Sequence, residues 1–257
     1  MGAIQSNFSR IEKKYVLRPE QFENIKNELD EFFLPDAYPK YTICNLYYDT
    51  DDYSLARHSI DKPYYKEKLR VRSYGVPAEQ DNIFAEIKKK CGGVVYKRRV
   101  CAPLQEVFDF LEKGRPLKDN PQIQAELQWF YNQYHPVPKV FIAYDREAFV
   151  GKDDPELRLT FDKNIRYRTE RIDLSAGDDG KPVLDDERIV MEIKVATAYP
   201  LRLTRILSRC EVYPAGFSKY GTCYEKHLLK TKFRPGFATN PNDAYDWSVE
   251  KGAAVAI

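Results

Sequence analysis

The sequence predicts an α+β domain built on an antiparallel sheet with one apolar face and one charged face. Three observations carry this. Strand-length segments alternate apolar and charged residues with a period of two, the spacing that sends successive side chains to opposite faces. Amphipathic stretches with apolar residues three and four apart lie between them. The composition is 14% aromatic, with 19 Tyr, which favours strands.

Residues 8–17, "FSRIEKKYVL", read as the first strand. Residues 18–34, "RPEQFENIKNELDEFFL", read as an amphipathic helix with Pro19 in its first turn and Phe22, Ile25, Leu29, Phe32 and Phe33 at helical spacing. "KYTICNLYYDT" is a β-branched and aromatic strand ended by an acidic turn. "DYSLARHSID" suits a short helix, and "YYKEKLRVRSYG" the next strand. "NIFAEIKKK" and "GVVYKRRVCA" form a hairpin, with Gly92 and Gly93 supplying the turn. "PLQEVFDFLEKG" is a helix ended by Gly114, and "NPQIQAELQWFYNQYH" is another. "PKVFIAYDREAFV", "ELRLTFDKNIRYR", "RIDL" and "ERIVMEIKV" are strand-like, with "SAGDDGKP" a surface loop. "YPLRLTRILSRCEVY" and "SKYGTCYEKHLLK" are helical. No repeat or linker divides the chain, so residues 1–233 are expected to form one domain, and residues 234–257 a partly ordered tail.

The totals exclude several classes of function. Lys and Arg number 41 against 39 Asp and Glu, a net charge of +2, so a nucleic-acid-binding coat is not implied. The five cysteines are widely spaced, without a CxxC pair or a Cys/His cluster, which leaves neither a zinc site nor a disulfide framework. Three His residues are a poor basis for a catalytic triad. No signal peptide opens the chain, and no apolar run approaches the roughly 18–20 residues that span a bilayer. A cytoplasmic location is therefore expected.

Parity sorts the charges. In "KEKLRVRSYG" one face carries Lys66, Lys68, Arg70 and Arg72, and the other Glu67, Leu69, Val71 and Ser73. The same alternation aligns Arg10, Glu12 and Lys14, then Glu86, Lys88 and Lys90, then Lys97 with Arg99. It also aligns Tyr144 with Arg146, Arg158 with Thr160 and Asp162, and Glu192 with Lys194. A solvated face would mix Thr, Ser, Lys and Glu and pair opposite charges across strands. Here most of the charges are Arg and Lys. Two unit charges about 5 Å apart repel by roughly 3 kcal/mol at an effective dielectric of 20. If the sheet closes on itself, the cations line a tunnel, and a polyanion with several phosphates turns the repulsion into binding energy. Parity alone fits an open sheet as well. Glu192, in the apolar strand "IVMEIKV", is the best candidate ligand for Mg2+ or Mn2+, because a phosphate-bound divalent cation takes only one or two protein carboxylates. An ion pair with a neighbouring Arg is its alternative role.

Taken in order, "EKKYVL", "KLRVRSYG", "FAEIKKK", "YKRR", "AYDREAF", "LRLTFD", "VMEIKV" and "GFSKYGTCYEK" resemble the vacuolar transporter chaperone (VTC) domain. This is the polyphosphate polymerase branch of the triphosphate tunnel metalloenzymes (the CYTH-like superfamily), and relatives occur as stand-alone bacterial proteins. The resemblance covers about residues 8–230 and implies a closed, eight-stranded antiparallel tunnel with helices on its outside. Within it the γ-phosphate of ATP would pass to a growing polyphosphate chain, assisted by Mn2+ or Mg2+. By motif match, Lys14, Arg70, Arg72, Lys88, Arg146, Arg158 and Lys219 are the implied catalytic residues. Arg10, Lys68, Lys90, Lys97, Arg99, Tyr144 and Lys194 are further phosphate-binding candidates, and Glu192, with Glu12 and Glu86 as lesser candidates, is the implied metal ligand. Hydrolytic members of the superfamily carry E-x-E-x-K on the first strand, where this chain reads Arg10-Ile11-Glu12-Lys13-Lys14. That change favours transfer to phosphate over hydrolysis. A tunnel triphosphatase acting on inorganic or nucleoside triphosphate, and a silent module binding polyphosphate or inositol phosphates, are the alternatives. Any coupling of synthesis to translocation would come from a membrane partner protein or be absent.

Overall fold

An antiparallel nine-stranded sheet forms the body of the protein in the computed structural model, which describes residues 11–118 and 120–229. The strands are β1 (Ile11–Leu17), β2 (Phe33–Asp49), β3 (Tyr65–Tyr74), β4 (Asn82–Cys91), β5 (Val94–Pro103), β6 (Val137–Gly151), β7 (Arg158–Arg168), β8 (Lys181–Pro182) and β9 (Ile189–Val195). Their order is β1-β9-β7-β6-β2-β3-β4-β5, with β8 added to β7. The helices are α1 (Pro19–Leu29), α2 (Ser54–Ile60), α3 (Leu104–Lys113), α4 (Pro121–Tyr134), α5 (Leu201–Arg209) and α6 (Lys219–Cys223), which runs on into a π-helical turn (Tyr224–Leu228). No helix among the described residues is long and apolar enough to cross a membrane.

The sheet is strongly curved. Strands β9, β7, β6 and β2 lie between β1 and β3, so a flat sheet with about 4.8 Å between strands would hold those two roughly 24 Å apart. Yet the Lys14 ammonium on β1 acts on Lys68 of β3, and Lys14 and Glu12 both act on Lys88 of β4. The charged face is therefore the concave one.

On the convex side the alternating apolar residues find helices, as the parity requires. Leu69, Val71, Ile83, Ala85 and Ile87 pack under α3 and α4, whereas Tyr15, Leu17, Leu159, Met191 and Ile193 pack under α1 and α5. The concave side is divided. At one end Ile43, Tyr47, Val140, Ile142 and Val190 are covered by Tyr220, Cys223, Tyr224 and Leu228, so α6 and its π-helical turn plug the trough. The charged residues occupy the rest.

Several expectations need correction. The eight-stranded path is not closed: among the described residues β1 and β5 are its two ends and do not pair. Mixed charges face each other across that gap, since Glu12 on β1 attracts Lys88 of β4 and Lys14 repels it. "RIDL" forms no strand, and Arg171 within it has a φ of 48°. Instead β8 forms at the end of the segment expected to be loop, where Lys181 and Pro182 pair with Tyr167 and Arg166. The first helix stops at Leu29, and Phe33 opens β2 instead, buried against the same core. The Gly92–Gly93 turn is as expected, with φ values of 55° and 91°. The start of the expected first strand and the tail from residue 234 lie outside the described residues.

Candidate functional site

β3 and β4 build one wall of the trough around a buried carboxylate. Arg70 faces Glu86 in register and donates from Nε to its Oε2 at 2.8 Å, with Nη2 2.7 Å from the same oxygen. Lys97 Nζ from β5 stands 2.7 Å from the other oxygen, and Arg72 Nε is 3.9 Å away. Glu86 is 1% exposed. Burial would raise its pKa, but Arg70, then Arg72 and Lys97, hold it down at about 2. Its oxygens are thus committed to organising cations, which makes it a poor metal ligand.

Arg72 is oriented by residues that parity had not singled out. Its Nε donates to Asn45 Oδ1 at 2.9 Å and its Nη2 to the Tyr144 hydroxyl at 3.1 Å, while Arg70 Nη1 reaches the Tyr47 hydroxyl at 3.4 Å. Burial would raise both phenols, but Arg70 beside Tyr47 and Arg72 beside Tyr144 more than offset it, so both pKa values are lowered.

The opposite wall centres on Asp162 of β7, which is 0% exposed. Arg146 of β6, its register partner, grips it with two bonds, Nε to Oδ1 at 2.6 Å and Nη2 to Oδ2 at 2.8 Å. Lys219 Nζ, from the start of α6, forms an ion pair with the same carboxylate. Both cations flank the Tyr144 ring, Lys219 Nζ at 4.2 Å and the Arg146 guanidinium at 5.4 Å from its centroid. Burial would lower the Lys219 pKa, yet Asp162 raises it above its ordinary value.

Asp49 of β2 fixes where α6 sits. It accepts from the backbone N–H groups of Leu55 and Ala56 at 2.9 Å each, and from the Tyr220 hydroxyl at 2.7 Å. The segment just before α6 then meets the lysines of the trough. Lys68 Nζ donates to Ser218 Oγ at 3.0 Å, and Lys14 Nζ to the Phe217 carbonyl at 3.5 Å. Lys68 is pushed down to about 8, first by burial and then by the ammoniums of Lys66, Lys88 and Lys14. Burial also lowers Lys88, and the repulsion of Lys14 and Arg70 works with it against the attraction of Glu12 and Glu192.

β1 and β9 carry the remaining carboxylates. Glu192 pairs in register with Lys14 and with Thr160. It lies 2.6 Å from Lys194 Nζ and 4.0 Å from Lys14 Nζ, while Glu12 approaches Lys14 at 3.7 Å. Burial disfavours the Glu192 carboxylate, but Lys194 and Lys14 hold its pKa well below the usual range. The Thr160 hydroxyl across from it is buried and has no hydrogen-bond partner. Among the described residues no group of three or more His, Cys, Asp or Glu is placed to hold a metal ion. One or two carboxylates suffice, however, for a hard cation carried mainly by phosphate oxygens and water. Glu192, with Glu12 beside it and the Thr160 hydroxyl free, fits that donor set.

Of the expected site residues, Lys14, Lys68, Arg70, Arg72, Glu86, Lys88, Lys97, Tyr144, Arg146, Glu192, Lys194 and Lys219 converge, with Glu12 at their edge. Arg158 shares the concave face but turns to the rim, where Nη1 bonds Asp36 Oδ2 at 2.8 Å. Lys90 faces Lys66 near the hairpin turn, away from the carboxylates. Arg99 lies over the Phe84 ring, 5.0 Å from its centroid. Arg10 lies outside the described residues. Asn45, Tyr47, Asp162 and Ser218 belong to the site and were not among the candidates. A polar Asn within "TICNLYYD", and an Asp sharing parity with Arg158, were the available signals.

Residues 9–228 match the VTC domain family. The chain belongs to the VTC family. A curated relative of this VTC chain, vacuolar transporter chaperone complex subunit 4 of Schizosaccharomyces pombe, is 24% identical, with 77% of this chain and 34% of the relative covered. The chain therefore spans about a third of that relative's length. Among solved structures, a candidate adenylate cyclase of Bacillus halodurans superposes with a TM-score of 0.52 at 15% identity, over 81% of this chain and 93% of that one. A Hippeastrum protein reported to have a dominant triphosphatase activity gives a TM-score of 0.47 at 16% identity, over 84% and 95%. The first of these shares the VTC chain's fold.

Proposed function

We propose that the protein is a metal-dependent polyphosphate polymerase that transfers the γ-phosphate of ATP to a growing polyphosphate chain held in the trough. The observation that carries this is the convergence of Lys14, Lys68, Arg70, Arg72, Arg146 and Lys219 on one concave face, each aimed by a hydrogen bond or ion pair. Phosphoryl transfer requires positioning and neutralisation of phosphate oxygens more than covalent catalysis. Here buried carboxylates hold the guanidiniums in place before any ligand arrives. Arg70, Arg72 and Arg146 would grip equatorial oxygens bidentately. Lys14, Lys68 and Lys219, gathered at the α6 plug, would hold the terminal phosphates where acceptor and donor meet.

Glu192, with Glu12 beside it, would hold Mn2+ or Mg2+, which supplies neutralisation of the charge that develops on the transferred phosphoryl group. A polyanion between Lys14 on one lip and Lys88 and Lys97 on the other would relieve their repulsion, drawing β5 toward β1 into a closed tunnel. The reading places the reaction in the cytoplasm, with ATP and inorganic triphosphate or polyphosphate as ligands and a membrane partner protein supplying any translocation.

Glu12 favours a second reading, a triphosphatase, because an exposed carboxylate beside Glu192 is placed to orient water. Glu192→Gln tests the metal role in both. Turnover of ATP with Mn2+ should vanish while binding of inorganic triphosphate without metal persists. Normal turnover by the variant would remove Glu192 from the mechanism.

A further inference from the structure

Beyond Arg72, the inward-facing residues change from cationic to aromatic. Tyr74 is the next inward residue along β3, about 7 Å further on. Phe84 of β4 faces Arg72 in register, and Tyr41 of β2 is the register partner of Arg146. The three rings form a continuous ladder. Tyr41 and Tyr74 meet edge-to-face with centroids 5.5 Å apart, as do Tyr74 and Phe84 at 5.7 Å. Each end of the ladder touches a cation. The Tyr41 hydroxyl hydrogen-bonds with Arg146, and the Arg99 guanidinium lies over Phe84.

Tyr74 and Phe84 lie at the end of the trough away from Lys66 and Lys68, with Tyr41 at the edge of the plug's apolar cluster. At the other end Lys66 Nζ bonds the Ser59 carbonyl of α2 and Lys68 bonds Ser218, so helices cover it. Tyr74, by contrast, is 53% exposed, a large ring left in solvent directly beside buried Arg72. Its aromatic contacts are Tyr41 and Phe84, and the outward residues of β3 and β4 pack under α3 and α4 without it.

We infer that Tyr74, with Tyr41 and Phe84 behind it, is the stacking platform for the nucleobase of a nucleoside triphosphate whose phosphates lie on Arg72, Arg99 and Arg146. The inference rests on the phosphate-binding reading of the trough and adds a direction to it. The nucleotide enters at the aromatic mouth with its phosphates leading toward the α6 plug. Stacking reads the π-face of a base and not its hydrogen-bonding edge, so the donor preference among nucleoside triphosphates is loose.

Isothermal titration of the whole chain without metal, using ATP and inorganic triphosphate as separate ligands, tests this on wild type, Tyr74→Ala and Tyr74→Trp. ATP should bind Tyr74→Ala at least about five-fold more weakly, since one base–aromatic stack contributes that much or more. Triphosphate affinity should stay within about two-fold, and Tyr74→Trp should retain ATP. Equal changes for both ligands, or unchanged ATP affinity in Tyr74→Ala, would overturn the platform while leaving the phosphate site standing. If wild type binds neither ligand, the phosphate reading itself fails, and the platform with it.

Discussion

Binding of a phosphate chain should be accompanied by proton uptake near pH 8, to which Lys68 and Lys97 both contribute, and the share of Lys68 can be isolated. Its pKa is pushed from 10.5 down to about 8 by burial and by the ammoniums of Lys66, Lys88 and Lys14. At pH 8 about half of it is therefore deprotonated in the free protein. A phosphate oxygen at its Nζ favours the charged form and returns the pKa toward its ordinary value, so binding at pH 8 takes up about half a proton at this residue. At pH 6 Lys68 is already charged and takes up almost none. The sign follows directly: affinity falls as pH rises through 8, by about tenfold between pH 7 and pH 9 from this lysine alone. Titration calorimetry with inorganic triphosphate, in buffers of different ionisation enthalpy at pH 6 and pH 8, reads the uptake. Lys68→Met subtracts the protons of the ligand and of the other lysines. Heats at pH 8 that do not depend on the buffer, or an uptake unchanged in Lys68→Met, would refute the reasoning.

Two further outcomes follow from the pairs that shape the walls. A Glu86 carboxyl held at about 2 in place of its ordinary 4.5 contributes roughly 3 kcal/mol, fully present above pH 4.5 and lost as pH falls toward 2. Acid unfolding followed by circular dichroism should show this loss in wild type and not in Glu86→Gln, which starts less stable; identical acid profiles would contradict it. Arg70→Ala combined with Arg72→Ala should weaken triphosphate binding at least about a hundredfold, because each charge-assisted contact is worth about 1.5–3 kcal/mol. The pair also leaves Glu86 with only Lys97, so the melting temperature should drop as well, and unchanged affinity in a folded variant would sink the trough as the phosphate site.

Much of this was legible because a strand's period of two sorts residues without knowledge of their partners. Leu69 and Val71 pack outward and Arg70 and Arg72 face inward, as the alternation requires. What parity cannot supply is distance between segments remote in the chain. Arg158 shares a face with Lys194, yet Asp36, carried in by the early part of β2, draws it to the rim. Asp162 reads as one more alternating charge, and only the return of α6 shows that it holds both Arg146 and Lys219. The apolar half of the trough was equally hidden. Val140, Ile142 and Val190 sit in continuous apolar runs whose inner face is covered by α6, so both faces are buried and alternation disappears. "RIDL" failed for a local reason, since the left-handed backbone at Arg171 breaks the extended run. Closure depends on edges that do not pair among the described residues, which no pattern of residues reveals.

The product formed from ATP is the most direct test of the central claim. Wild-type protein incubated with ATP and Mn2+ or Mg2+, its products resolved by phosphorus NMR and gel electrophoresis, should yield long-chain polyphosphate together with ADP, and Glu192→Gln should yield neither. Release of orthophosphate with no chain longer than the substrate's own would contradict the account and assign the trough to hydrolysis.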